Sequence, residues 1–184
     1  MIRIGVTGHR VLADVEKIDA AIELALHSIE SKFPGETLRV VSSLAEGADR
    51  IVVTHALKRA GTTLVVPLPM HKADYILDFH SEDSRAEFNE LIDRAAQVVE
   101  MPIASSRPAA YEAAGDSVLN NSDILITIWD GQKPQGRGGT AAIVTRARKR
   151  KLPIVWIHAG NRAPGTRVPV SLGDAQGLVT FENF

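Results

Sequence analysis

The chain has 184 residues, 45% hydrophobic and 23% charged, which is enough apolar material for one sizeable core and argues against wholesale disorder. Lys plus Arg number 21 against 22 Asp plus Glu, so the net charge is −1, without the basic excess that a general nucleic-acid binder sets against phosphates. The lack of cysteine excludes disulfides, thiolate metal sites and cysteine nucleophiles, and no apolar run approaches the roughly 18 residues of a membrane helix.

In chain order, residues 2–7 are an apolar run ending at Gly8, the pattern of a buried strand with a sharp exit. Residues 14–32 read as a helix, with Ile18, Ile22, Ala25 and Ile29 on one face, and Pro34-Gly35 stops it. A second strand at 38–41 leads into a helix over 48–60, with Gly61 where a helix C-terminal glycine is expected. A third strand covers 63–66, closed by Pro67 and Pro69.

The polar stretch 71–83 precedes an amphipathic helix that turns Phe88, Leu91, Ile92 and Ala95 inward. Strand 98–101, helix 109–120 (with Gly115 as its weak point), strand 124–129, helix 139–149 and a β-element at 152–158 follow. The Gly- and Pro-rich tail carries a last edge strand at 178–181. Strands separated by helices imply crossover connections, hence an α/β, Rossmann-like three-layer sandwich with a mainly parallel sheet and helices on both faces. One domain over 1–184 is the expectation. The N-terminus has too short an apolar stretch for a signal peptide, so the expected location is cytoplasmic.

In such folds ligands sit beyond the carboxyl ends of the strands, so the loops there carry the candidate site. The first is Thr7-Gly8-His9-Arg10, where a glycine permits a tight turn and the hydroxyl, imidazole and guanidinium offer donors to phosphate. It lacks the GxGxxG pattern of ordinary dinucleotide cofactors, and no cofactor is expected. The second is Ser42-Ser43-Leu44-Ala45-Glu46-Gly47-Ala48-Asp49, in which hydroxyls end a strand and a glycine precedes a helix with open N–H groups. Glu46 or Asp49 suits a ribose hydroxyl, and Asp49 also suits the helix dipole alone.

The third loop runs from Trp129-Asp130-Gly131 through Gly136-Arg137-Gly138-Gly139-Thr140 and has four glycines within nine positions. Strand, glycine-rich loop and helix N-terminus appear in the order a phosphate cradle needs, with Thr140 adding a hydroxyl. The GK[ST] ending of a triphosphate-hydrolysing P-loop is absent.

VVSSLAEGAD at 40–49 with TTLVVPLP at 62–69 resembles the DprA/Smf DNA-processing proteins. GRGGTAAIV at 136–144 resembles the glycine-rich motif of the LOG cytokinin-activating phosphoribohydrolases, and WDGQKPQGRGGTA at 129–141 is similar to nucleoside deoxyribosyltransferases. Over residues 2–158 the chain therefore resembles the SLOG (Smf/DprA–LOG) superfamily of Rossmann-like nucleotide-binding domains. The resemblance implies a nucleotide or nucleotide-derived ligand and, from the habit of LOG-like proteins, a homo-oligomer. It also implies a catalytic glutamate three residues after Thr140, where this chain has Ile143. A side chain without a carboxylate cannot stabilise oxocarbenium character at the ribose.

The expectation is therefore a domain that binds its ligand as a non-hydrolysing sensor. The phosphate is expected on Gly138, Gly139 and Thr140 with help from Gly8, His9 and Arg10, while Ser42, Ser43, Glu46 and Gly47 line the sugar side and Asp130 lies opposite. The alternative is an N-glycosidase of phosphoribohydrolase or deoxyribosyltransferase type whose carboxylate is displaced to Glu46 or Asp130. DprA-like binding of single-stranded DNA comes third.

Other features read blandly. The His and Asp residues of 71–83 lack metal-ligand spacing and read as a solvated loop over the sheet edge, so no metal is expected. Tyr111 suits either a stacking platform or a partly buried core position. The basic residues from Arg146 to Lys151 suit a solvated helix C-terminus.

Overall fold

The computed structural model describes residues 1–133 and 139–184. The elements are β1 (Ile2–Gly8), α1 (Val15–Lys32), β2 (Leu38–Val41), α2 (Ala48–Ala56), β3 (Thr63–Leu68), α3 (Lys72–Tyr75), a 3-10 turn (Ile76–Asp78) and α4 (Glu82–Asp93), followed by β4 (Gln97–Glu100), α5 (Arg107–Asn120), β5 (Ile124–Trp129), α6 (Thr140–Lys149), β6 (Ile154–His158) and β7 (Val179–Glu182). The seven strands form one sheet in the order β4-β3-β2-β1-β5-β6-β7, parallel except for the antiparallel β6–β7 pair. This is the α/β Rossmann-like three-layer architecture. No helix among the described residues is long and apolar enough to cross a membrane.

Position in the sheet accounts for the strand sequences. β5 lies between β1 and β6 with both faces covered, so ILITIW is buried at every residue and shows no alternation. β4 is the edge, and QVVE is largely exposed. β3 runs on through Pro67 to Leu68, since the fixed φ of proline is compatible with extended backbone. α1, α2 and α4 cover one face through a cluster that includes Ile18, Ile22, Val52, Val53 and Phe88, while α5 and α6 cover the other with Leu119, Ile143, Val144 and Ala147. The 48–60 helix stops early, at Ala56.

The stretch 71–83 is not the solvated loop its polarity suggests. Tyr75 and Phe79 are each 1% exposed and pack edge to face, with ring centroids 4.9 Å apart. Phe88 of α4 lies 4.8 Å from Phe79. Arg50 of α2 holds this group against the body. Its guanidinium sits 4.3 Å from the Phe79 centroid, donates to the Leu44 and Ser84 carbonyls and pairs with Glu87 at 2.9 Å. Ser81 caps α4 by accepting the Ser84 N–H. Among the described residues no group of three His, Asp or Glu is placed to hold a metal.

The arginines of the basic run at the end of α6 are engaged in ion pairs: Arg146 with Glu112 and Asp116, Arg148 with Glu182, and Arg150 with Asp116. Gly115 is a packing residue, because a Cβ there would come within 2.8 Å of Ile143 Cδ1.

Truncating Phe88 removes the wedge beneath the 71–84 segment. Phe88→Ala is expected to cost about 3–5 kcal/mol in urea unfolding. A loss below about 1 kcal/mol would mean that this segment does not depend on the aromatic cluster.

Candidate functional site

The strand order reverses between β1 and β5, and a cleft of about 470 Å³ opens there beyond the carboxyl ends of the strands. Three of its walls are the expected loops. From the loop after β1 come Thr7, Gly8, His9 and Arg10, from the turn after β2 come Ser43, Glu46 and Asp49, and from the loop after β5 and the start of α6 come Asp130, Gly139 and Thr140.

Ser42, Gly47 and Gly131 are not among the lining residues. Ser42 is fully buried, donating its hydroxyl to Asp49 at 2.9 Å and accepting the Leu44 N–H. Gly47 has φ +78°, and a Cβ there would lie 2.4 Å from the Arg10 carbonyl oxygen. Gly131 lies against the Trp156 ring. All three shape the walls from behind. Gly136 and Gly138 lie outside the described residues.

His9 is buried, and its Nε2 accepts the Asp130 N–H at 3.1 Å. Burial lowers its pKa, against the pull of Asp130, so the ring is neutral near pH 7 with its proton on Nδ1. The approach of Asp130 Oδ2 to Nε2 at 3.3 Å becomes an ion pair only on protonation.

Glu46 is at a junction. Its Oε1 accepts from the His80 N–H at 2.9 Å and the Ser84 hydroxyl at 2.6 Å, and its Oε2 faces Arg167 at 3.7 Å. Burial opposes ionisation, but those bonds and the charges of Arg167 and Arg50 outweigh it and hold the carboxyl below its ordinary pKa. Asp49 goes the other way. Burial pushes it up to about 6, although the Ser42 hydroxyl and the Ala45 N–H favour the ionised form.

α6 opens on Gly139, which has no side chain to cap the helix. The Ala142 and Ile143 N–H groups bond to the Gly139 carbonyl, while Thr140 and Ala141, with their N–H groups at the open end, line the cleft. The position at which the sequence resemblance places a glutamate is Ile143, 7% exposed and packed on Gly115 of α5.

Tyr111 is part of the wall. Its hydroxyl donates to Asp78, which also pairs with Arg107 at 2.6 Å, and the Arg10 guanidinium lies 5.5 Å from its ring centroid. Asn161, Arg162 and Arg167 come from the loop after β6, a segment whose Gly- and Pro-rich composition points to no site. The signal that finds them is the strand-end rule, which applies to β6 as much as to β1, β2 and β5.

Among the described residues the charges are unevenly engaged. Glu46, Asp49, Asp78 and Asp130 each accept protein hydrogen bonds. Arg162 has no side-chain hydrogen bond or ion pair, and Arg167 has only its loose approach to Glu46. The carboxylates are satisfied from within, while guanidinium donors remain open to the cleft.

Comparison with protein-family models gives no match, and comparison with curated proteins gives none. Among solved structures, the X-ray structure of TM1055, a structural-genomics target, is similar to this chain at 17% identity with a TM-score of 0.49, covering 84% of this chain and 72% of its own.

The raised pKa of Asp49 makes a signed prediction. Because the folded state holds the proton more tightly than an ordinary carboxyl of pKa 3.8, its contribution is fully present below about pH 4 and is lost as pH rises through about 6. In Asp49→Asn that loss disappears, so the variant should gain on the wild type by roughly 1–3 kcal/mol between pH 4 and pH 7.5. Urea unfolding at the two pH values measures it, and parallel stabilities would contradict the assignment.

Proposed function

We propose that the cleft binds a nucleotide or nucleotide-derived ligand and leaves it intact, as a sensor domain of SLOG type would. The observation that carries this reading is the meeting in one cleft of satisfied carboxylates with guanidinium donors and a helix N-terminus that are open among the described residues. A phosphate placed at the start of α6 receives the Thr140 and Ala141 N–H groups and the Thr140 hydroxyl, and Arg10 lines the same cleft. Ser43 and Glu46 offer polar groups to a sugar, and the Tyr111 ring offers a surface for a base.

Ile143 supports binding without cleavage. Its side chain is wedged between α5 and α6, so hydrocarbon stands where the resembling enzymes use a carboxylate. One observation favours the N-glycosidase reading instead: Glu46 lines the cleft and is held ionised. That reading requires free base to be released from a nucleoside monophosphate, and the release to be lost in Glu46→Gln or Asp130→Asn.

Gly139→Asp tests the phosphate position with little risk to the fold. The backbone there has φ −88°, no atom of the described residues lies within 4 Å of the place a Cβ would occupy, and Asp is a favoured residue before a helix. The variant should fold at least as stably as the wild type and bind AMP at least about tenfold more weakly, through charge repulsion and occupation of the free N–H groups. Trp129 lines the cleft and its ring lies tilted against that of Trp156, with centroids 5.3 Å apart, so tryptophan fluorescence reports the titration. Unchanged AMP affinity in a folded variant would remove the α6 N-terminus from the site.

A further inference from the structure

We infer that the loop after β6 forms a second anion subsite through Arg162 and Arg167, so that the ligand carries two anionic groups, as a nucleoside diphosphate does. The first group is the phosphate at α6, and the inference rests on the nucleotide reading for it alone.

The loop is built to present these side chains. Arg162 and Pro169 form an antiparallel bridge, the Ala163 N–H donates to the Val168 carbonyl at 2.8 Å and the Val170 N–H to the Asn161 carbonyl at 2.7 Å. Gly165, at φ +71°, turns the tip. At its base Gly160 has no room for a side chain, since a Cβ would meet the Val170 carbonyl oxygen at 1.9 Å.

Gln176 fixes that base to the rest of the site. It is 4% exposed, its carbonyl accepts the Gly160 and Leu172 N–H groups at 2.9 and 3.1 Å, and its amide donates to the Ala13 carbonyl at 2.8 Å. Ala13 follows Arg10 on the loop after β1, so one buried amide ties the arginine-bearing loop to the loop that carries His9 and Arg10. Ser171 adds a bond to Asp14 at 2.5 Å.

The two guanidinium groups have work left to do. Arg167 approaches Glu46 at 3.7 Å, beyond hydrogen-bonding distance, and both Glu46 Oε1 bonds come from other residues. Arg162 spends no side-chain donor on the described protein. Guanidinium groups on a cleft wall with donors unspent match the oxygens of a phosphoryl group, which accept them in pairs.

The test titrates AMP, ADP and inorganic pyrophosphate into the wild type and into Arg162→Gln and Arg167→Gln, read by calorimetry. Both arginines are on the surface, and thermal unfolding verifies that each variant is folded. ADP should bind about tenfold or more tighter than AMP, and the ratio should fall toward one in each variant. ADP no tighter than AMP, or a ratio unmoved by both substitutions, overturns the subsite and leaves the nucleotide reading standing. Pyrophosphate bound and weakened by both substitutions, with neither nucleotide bound, supports the subsite and overturns the nucleotide reading. No binding of any of the three overturns both.

Discussion

The cleft depends on a place where backbone meets backbone. A Cβ on Gly8 would lie 2.4 Å from that of Ala48 and 2.7 Å from the Ile128 carbonyl oxygen, and the Gly47 position is as tight against the Arg10 carbonyl. The Ala48 N–H donates to the His9 carbonyl and the His9 N–H to that of Ile128, both at 3.0 Å. The end of β1, the start of α2 and the end of β5 are thereby joined without side chains between them. A substituent at either glycine would push the loop of His9 and Arg10 away from the turn of Glu46 and Asp49. Backbone strain gathers in the same turn, where Leu44 adopts φ +56°, a conformation rarely taken by a branched residue.

Around that junction the electrostatics are sorted. Glu46 gathers the β2–α2 turn, the start of α4 and the loop after β6 onto one carboxylate, and Arg50 clamps the aromatic residues beneath them. Asp78 is held by Tyr111 and Arg107, and Asp49 by Ser42. Burying so many acids is tolerated only because each is bonded within the protein. A ligand therefore meets walls whose carboxylates already accept hydrogen bonds from the protein and whose open donors, among the described residues, come from guanidinium groups and a helix N-terminus.

Legibility in the sequence followed the range of the interaction. β5 coincides with the expected 124–129 because a strand covered on both faces is buried at every residue, and β2 coincides with the expected 38–41 because Leu38, Val40 and Val41 are buried and turn residues bound it, although Arg39 interrupts the apolar run. Tyr75 and Phe79 were hidden because a four-residue helix followed by a 3-10 turn has no period long enough to show in a polar stretch, and their burial is decided by Arg50 and Phe88. Within the site, the glycine-bearing loops after β1, β2 and β5 announced themselves by composition. Arg162 and Arg167 did not, since what brings them to the cleft is Gln176 reaching back 163 residues to Ala13. Ser42 shows the limit of residue type as a guide: a hydroxyl at a strand end suits a phosphate and a neighbouring aspartate equally, and here the aspartate has it.

The central claim is binding without cleavage at the switch point between β1 and β5. The most direct measurement mixes the protein with a nucleotide panel, follows each sample by calorimetry and recovers the ligand by chromatography. The account predicts that at least one nucleotide gives saturable heat and is recovered whole after prolonged incubation. Free base in the eluate, or no heat from any member of the panel, would contradict it.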